Sequence, residues 1–185
     1  MPAGSQPGVF MHRYLQAAHD EITRAAGSLP PEVIGRPVHG RWSIGEILEH
    51  LTLAFTANAG ALEKVLASGE LRARRPRLMQ RLARVLVVDG GYFPRVQAPE
   101  MTRPSGAIAP ERGVAAACEG LATLDGVLTR VAARFGERVA VANHPYFAGL
   151  SVAQWRKFHW RHTVHHVRQI RGQSLNFARD AKFKL

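Results

Sequence analysis

Residues 158–169 read Phe158-His159-Trp160-Arg161-His162-Thr163-Val164-His165-His166-Val167-Arg168-Gln169. This stretch contains four of the nine histidines of the chain, and no acidic residue occurs from Ser151 to Arg179. An α-helix turns by about 100° per residue, so six side chains fall within an arc of about 80°: Trp155, His159, His162, His166, Gln169 and Gln173. With Ser151 as N-cap, the sequence predicts a helix to about Gly172 that carries one stripe of metal-ligand type.

Apolar residues at spacings of three and four predict helices over most of the chain. Besides the final helix, they cover residues 9–28, 43–68, a basic stretch at 71–88, and 111–135. The helix at 43–68 starts with Ser43-Ile44-Gly45-Glu46, which matches a capping box. Residues 90–110 contain two adjacent glycines and four prolines, so we expect an irregular crossover there.

This pattern has no period-two alternation and predicts an all-α fold, with four long helices in a bundle and an accessory basic helix. The 185 residues fit a single domain, 1–185, with a core at about 9–173 and a short C-terminal tail at 174–185. The longest strongly apolar run, at about Val85–Val88, is far too short to span a membrane.

Composition narrows the classes of site and of partner. Cys118 is the only cysteine, which excludes an intramolecular disulfide and a zinc site built from cysteines. No signal-peptide pattern precedes Val9, so we expect a cytoplasmic protein. The net charge of +11 would attract polyanions such as nucleic acid or an anionic membrane surface. The basic segment 71–95 is interpreted as a solvated helix face, and its role stays open.

Two histidines four residues apart on a helix can reach one ion, because their Cβ atoms lie about 5 to 6 Å apart. His162 and His166 have this spacing, and His50 is the best third ligand because it borders a strongly apolar helical stripe. Three neutral imidazoles leave a divalent ion with an open position for water, hydroxide or an anionic ligand. The chemistry suits several metals, including zinc, nickel, copper and iron.

Other interpretations of the same residues remain open. His159 with His162, or His162 with His165, are competing pairs, although their spacing of three diverges by about 60° rather than about 40°. Alternatively, the histidines are hydrogen-bonded to each other and to the two glutamines without a metal. Glu46 is interpreted as part of the capping box rather than as a ligand or base, and Glu49 as facing solvent.

Three blocks of the sequence resemble the DinB-like (DinB/YfiT) superfamily, in its branch described as a domain of unknown function related to DinB. They occur in family order: Trp42-Ser43-Ile44-Gly45-Glu46-Ile47-Leu48-Glu49-His50-Leu51, then His144-Pro145-Tyr146-Phe147-Ala148-Gly149-Leu150-Ser151, then Gln154-Trp155 through His162, His166 and Ile170. The resemblance covers about residues 9–173. It implies a four-helix bundle with a long crossover, a divalent ion such as zinc or nickel, and frequent dimerisation. Carried over by position, the ligand set falls on His50, His162 and His166.

The resemblance also implies a class of activity, since some members of the superfamily transfer low-molecular-weight thiols. We therefore expect a metal-dependent transferase that joins a small thiol to an electrophile, or a hydrolase, without a named catalytic residue. The expected partners are a small-molecule substrate, such as a low-molecular-weight thiol, and a second copy in a homodimer. The alternative is a stress-associated protein that binds nucleic acid or another protein and holds a structural metal; nucleic acid is the less favoured partner.

Overall fold

The computed structural model describes residues 10–94 and 97–182, and within these ranges the chain is mostly helical. The α-helices are α1 (Arg13–Ala26), α2 (Pro31–Ile34), α3 (Ile44–Ser68), α4 (Leu78–Arg84), α5 (Pro110–Phe135) and α6 (Val152–Lys182). A π-helical turn (Val85–Asp89) continues α4, and a 3-10 turn covers Glu100–Thr102. Strands β1 (Ala140–His144) and β2 (Ala148–Ser151) form an antiparallel pair. The predominance of helix agrees with the predicted all-α class.

Local chemistry sets the ends of the two central helices. At the start of α3, Ser43 Oγ accepts a hydrogen bond from the Glu46 N–H, and the Glu46 carboxylate accepts one from the Ser43 N–H at 2.7 Å. Gly69 ends α3 in the left-handed region at φ 73°, and Gly136 ends α5 at φ 93°, where L side chains are strained. The capping box and both predicted helix ends are thus confirmed.

The core lies between the long helices, where α3 packs mainly on α5 and α1 packs mainly on α6. Burying a leucine or isoleucine side chain contributes about 1.5 to 3 kcal/mol. The largest fully buried side chains come from four helices: Leu15 and Ile22 of α1, Ile44, Ile47, Leu48, Leu51, Phe55 and Leu62 of α3, Leu121, Leu124 and Leu128 of α5, and Trp155 of α6. In α1, α3 and α5 these residues recur mainly at spacings of three, four or seven, as expected for one buried face of each helix.

The basic stretch forms a shorter helix than the sequence predicts. Residues 70–77 are not helical, and α4 begins only at Leu78. Proline disfavours a helical conformation at the residue before it, which here is Arg75 before Pro76. The hairpin supplies other partners: the Arg72 N–H donates to the Val141 carbonyl at 3.1 Å, and the Arg74 carbonyl accepts from the Gly149 N–H at 3.0 Å. Arg95 of this segment lies outside the described residues.

The β1–β2 hairpin is absent from the sequence prediction, which found no period-two alternation. All four residues of β2 are buried, so the strand has no solvent-facing side and shows no alternation. Gly149 lies so close to the chain at 70–77 that an added Cβ would stand 2.8 Å from the Arg74 carbonyl oxygen. The hairpin therefore fixes the chain that leads into α4.

The outermost helix ends also differ from the prediction. Helix α6 passes through Gly172 and runs to Lys182, so residues 174–182 are helical rather than a tail. Gly172 is exposed with no neighbouring side chain, and an interior glycine costs only about 1 kcal/mol. Helix α1 begins at Arg13, because the His12 side chain accepts a hydrogen bond from the Tyr14 N–H. Val9 and residues 183–185 lie outside the described residues.

Glu49 is buried, not solvent-facing as the sequence suggested, with 2% of its surface exposed. Its carboxylate accepts hydrogen bonds from the backbone N–H groups of residues 105–107 at 2.8 to 3.2 Å and from the Ser105 hydroxyl. Burial raises the pKa of this carboxyl, but the hydrogen bonds outweigh burial and hold the pKa below its usual value. The charged Glu49 carboxylate, one residue before His50, thus binds residues 105–107 of the crossover to α3.

In the part of the chain that the structure describes, every helix is too short or too polar to cross a bilayer.

Replacing Glu49 with glutamine removes one acceptor oxygen and places an amide N–H2 group among backbone donors. We expect the Glu49→Gln variant to lower the free energy of unfolding by about 2 kcal/mol, measured by urea denaturation, because hydrogen bonds to a charged group are lost. Glu63→Gln on the same helix is the control, since 45% of the Glu63 side chain is exposed and its ion pair among the described residues is with Arg130 on the surface. Equal stability losses in the two variants would contradict this role of Glu49.

Candidate metal centre

Three imidazoles from two helices converge at one point. His50 comes from the second turn of α3, and His162 and His166 lie one turn apart on α6. The His162 Nε2 atom lies 3.1 Å from His166 Nε2 and 3.3 Å from His50 Nε2. One nitrogen from each residue lies within 4.8 Å of the other two. The three histidines named from the sequence are therefore brought together and are close enough to hold one metal ion.

The spacing of these nitrogens fits a shared ion. Nitrogen ligands at about 2.0 to 2.1 Å from a tetrahedral metal stand about 3.3 Å from one another. The two Nε2–Nε2 distances in the cluster, 3.1 and 3.3 Å, are close to this value. Ligand atoms on α3 and α6 thus stand at coordination spacing in the folded chain.

Hydrogen bonds on the far side of two rings fix which nitrogen carries the proton. His50 Nδ1 lies 2.7 Å from the Thr102 carbonyl oxygen, and His166 Nδ1 lies 3.0 Å from Gln169 Oε1. Both oxygens only accept, so both Nδ1 atoms donate and both Nε2 atoms of the neutral rings keep a lone pair. This is the arrangement by which metal-ligating histidines are oriented.

The single N–H of His162 cannot satisfy the Nε2 lone pairs of both His50 and His166 and also leave its own nitrogens paired. A neutral His162 carries one N–H, on either Nε2 or Nδ1. On Nε2 the N–H faces His50 and His166, whereas on Nδ1 it is buried away from both. Within residues 10–94 and 97–182, His162 Nδ1 has no hydrogen-bond partner. Every neutral arrangement therefore leaves a buried lone pair or N–H unpaired, at a cost of about 1 to 3 kcal/mol. A cation between the three Nε2 atoms would use all three Nε2 lone pairs and leave only the His162 Nδ1–H without a described partner.

The cluster stays uncharged at neutral pH. Burial lowers the pKa of all three histidines; for His162 and His166 the neighbouring rings of the cluster lower it further. For His50, the hydrogen bond to the Thr102 carbonyl works in the opposite direction but does not offset burial. The pKa of His166 falls to about 3, and that of His162 lies well below 6.5. Neutral imidazoles are the form that binds a metal.

His159 and His165 lie outside this cluster. His159 is fully buried on the core side, where its ring stacks on Trp155 and its Nε2 lies 3.4 Å from Asn58 Nδ2. His165 is half-buried, stacks on Phe93 and lies 3.2 Å from Gln169 Nε2. The geometry thus favours the His162–His166 pair over the two pairs with a spacing of three. Both excluded histidines are neighbours of the cluster.

The remaining polar candidates have separate roles. Glu46 belongs to the capping box. Gln169 contacts His166, whereas Gln173 donates to the Trp42 carbonyl and joins α6 to the start of α3. Cys118 is half-buried, and burial raises the pKa of its thiol.

A cavity of about 810 Å³ opens beside the three histidines. None of its described lining residues is Asp, Glu, Lys or Arg, although charged residues make up 21% of the chain. Aromatic and aliphatic side chains form most of the wall: Trp42, Ala54, Ala57, Met79, Ala83, Val87, Phe93, Met101, Phe147 and Phe158. The site is therefore open to small molecules and apolar in character.

Sequence reasoning missed the crossover residues that complete the site. Thr102 orients His50 through its carbonyl, and Phe93 contacts the rings of His162 and His165. The only signal was the length and the Gly and Pro content of the segment 90–110, because such loops often cover sites. No pattern could have selected Thr102, since a backbone carbonyl leaves no trace in residue type.

The buried His144 at the cavity wall makes the free energy of unfolding depend on pH. Burial lowers its folded-state pKa to about 3 from 6.5. The unfolded chain therefore takes up the proton first as pH falls, and the stability present above pH 6.5 is lost towards pH 3. We expect this group to lower the free energy of unfolding by about 1.4 kcal/mol per pH unit in that window. Urea denaturation with a chelator present should show a shallower slope for His144→Phe; an unchanged slope would contradict the assignment.

Comparison with known proteins gives a family but no characterised relative. No curated protein and no solved structure matches the chain. One family model, described as "Protein of unknown function (DUF1569)", matches residues 13–173. The match runs from the start of α1 through most of α6 and includes all three histidines of the cluster. The chain therefore belongs to this family of proteins of unknown function.

Proposed function

We propose that this protein is a metal-dependent enzyme of the DinB-like type in which His50, His162 and His166 hold one divalent ion, with zinc or nickel the leading candidates. The observation that carries the proposal is the convergence of three Nε2 atoms, two of them with lone pairs fixed by hydrogen bonds, at the edge of an open cavity. The four-helix bundle and the DinB-like relationship belong to the same proposal and rest on the three sequence blocks.

An open site favours catalysis over a structural role for the ion. Structural zinc sites close all four positions with protein ligands, whereas catalytic sites keep one position for water or substrate. The described residues supply three nitrogens here, and no Asp or Glu lines the cavity. An ion on three neutral ligands keeps its full charge and would supply Lewis-acid activation of a small thiol or a water molecule.

The chain itself orients the histidine rings, fixes their tautomers by hydrogen bonds and surrounds them with apolar side chains. The Thr102 carbonyl and Gln169 hold the His50 and His166 rings in their donor tautomers. Phe93 and Phe158 pack on the His162 ring and shield it from water. The described residues of the wall include no Asp, Glu, Lys or Arg, and such an apolar wall strengthens electrostatic interactions inside the cavity and favours substrates with an apolar body.

Thiol transfer to an apolar electrophile is the reaction that fits these features best. The thiolate sulfur forms a bond to an electrophilic carbon, the leaving group departs with the electron pair of the broken bond, and the thiol proton passes to solvent. A thiol activated by the ion needs no protein carboxylate as base, which agrees with the cavity lining. Hydrolysis, with water in place of the thiol, is the alternative at the same site. The expected homodimer stays a prediction.

Metal binding tests the site directly. We expect one equivalent of zinc per chain in the protein and binding at least about 100-fold weaker in the His162→Ala/His166→Ala double variant, measured by titration calorimetry. Gln169→Ala should weaken binding about 10- to 100-fold through loss of ring orientation. The exposed histidine variant His39→Ala is the control and should bind like the parent protein. Equal zinc affinity in the double variant and the parent would refute the site.

Substrate binding in the cavity is tested by filling it. Ala57 lines the cavity on α3, and Ala61, one turn later, is exposed. We expect Ala57→Phe to lower the zinc-dependent rate at which a thiol displaces chloride from 1-chloro-2,4-dinitrobenzene by about 10- to 100-fold, because the substrate is kept away from the ion. Ala61→Phe is the matched control and should keep the parent rate. Unchanged zinc affinity in both variants separates cavity filling from metal loss.

If Ala57→Phe reacts as fast as the parent protein while both bind zinc, the substrate does not enter this cavity. If neither the parent nor a control variant accelerates the reaction above free zinc, thiol transfer to this electrophile is excluded, and water remains the other nucleophile to test at the site.

A further inference from the structure

Helix α4 and the π-helical turn present large apolar side chains to solvent. Their exposed fractions are 71% for Leu78, 73% for Met79, 50% for Leu82, 54% for Val85 and 56% for Leu86. Spacings of three and four residues place these side chains on one face, which we call the apolar stripe. A contiguous apolar surface of this kind marks an interaction site rather than an ordinary protein surface.

Arginines without a described ion pair lie along the same segment as the apolar stripe. Six arginines lie between residues 72 and 84, and no acidic residue occurs from Leu71 to Val88. None of the six forms an ion pair with a described residue. Asp89, the next acid along the chain, is neutralised by Lys157 at 2.6 Å. The partner of this surface must therefore be apolar in part and anionic.

We propose that the apolar stripe and its arginines, chiefly Arg77, Arg81 and Arg84, dock on an anionic lipid bilayer surface. A short helix with leucine and valine on one face and arginine beside them has the composition of an interfacial membrane segment. The aliphatic side chains enter the boundary between headgroups and acyl chains, and the guanidinium groups contact lipid phosphates. Docking at this depth needs no membrane-spanning helix.

Two other occupants fit this surface less well than a lipid bilayer does. A second copy docking stripe to stripe would bring two sets of arginines together, and each chain carries a net charge of +11. Nucleic acid would pair with the arginines but leave the five aliphatic side chains in water, and the segment Leu71–Asp89 has no aromatic residue for base stacking.

The docking surface adjoins the cavity. Met79 belongs to the apolar stripe and also lines the cavity. Ala83 and Val87, on the inner side of the same segment, line the cavity as well. A bilayer at the stripe would thus face the cavity mouth and deliver an apolar substrate by lateral partitioning. This last step rests on the proposed function, whereas docking itself does not.

Vesicle co-sedimentation tests the docking. We expect the full chain to bind phosphatidylcholine vesicles that contain phosphatidylglycerol, to bind pure phosphatidylcholine vesicles far more weakly, and to lose affinity as salt rises. Arg77→Gln/Arg81→Gln should weaken binding about 30-fold, at about fivefold per arginine. Leu78→Gln/Leu82→Gln/Leu86→Gln should weaken it at least tenfold, since these exposed side chains contribute only when they are buried in lipid.

Matched control variants show whether vesicle binding depends on the apolar stripe and its arginines or only on the total charge and hydrophobicity of the protein. Arg112→Gln/Arg130→Gln removes two positive charges from α5, and Leu175→Gln removes an exposed leucine from α6; both should bind vesicles like the parent protein. Circular dichroism and zinc affinity verify that each variant is folded. A zinc-free His162→Ala/His166→Ala protein should still bind anionic vesicles, so failure of the metal proposal and failure of docking are distinguishable.

Three results would overturn the proposal. One is no binding to anionic vesicles at low salt. Another is equal binding by the triple leucine variant and the parent. The third is a mobility shift of duplex DNA without any vesicle binding, where the shift is lost in the Arg77→Gln/Arg81→Gln variant and kept in the triple leucine variant. That combination would show that the arginines bind nucleic acid.

Discussion

Three closely packed imidazoles with too few protons to satisfy one another are the constraint on which this site depends. His50 and His166 each use their Nδ1–H on an oxygen of the protein, so their Nε2 lone pairs point at His162. His162 has one proton and a buried Nδ1 without a described partner. A protein rarely retains such a conflict in its interior, because each unpaired group is costly. One divalent ion would use all three Nε2 lone pairs and reduce the conflict to the single Nδ1–H of His162.

Much of the surrounding structure serves to hold that cluster together. Glu49 fastens residues 105–107 to α3, and this places the Thr102 carbonyl against His50. Gln173 joins α6 to the chain just before α3 through the Trp42 carbonyl. The two helices that carry the ligands are thus tied at the site by polar contacts, while the apolar packing of α3 on α5 and of α1 on α6 supplies most of the stability.

Periodicity and capping chemistry were enough to predict the long helices and the three converging histidines. Ser43 with Glu46, Gly69 and Gly136 are local signals, and the four-residue spacing of His162 and His166 is a property of any helix. The hairpin, the extended chain at 70–77 and the buried Glu49 could not be predicted, because each depends on contacts between distant segments. Strand β2 is buried on both sides and Glu49 is bound by a loop 56 residues away, so neither leaves a local pattern.

X-ray absorption at the zinc edge tests the three-histidine site, because it reports the number and type of atoms bound to the ion. In the zinc-loaded protein, we expect three imidazole nitrogens at about 2.0 to 2.1 Å, with one further light atom that a small thiol replaces by sulfur at about 2.3 Å. A spectrum with fewer than three imidazoles, or one unchanged in the His162→Ala/His166→Ala variant, would contradict it.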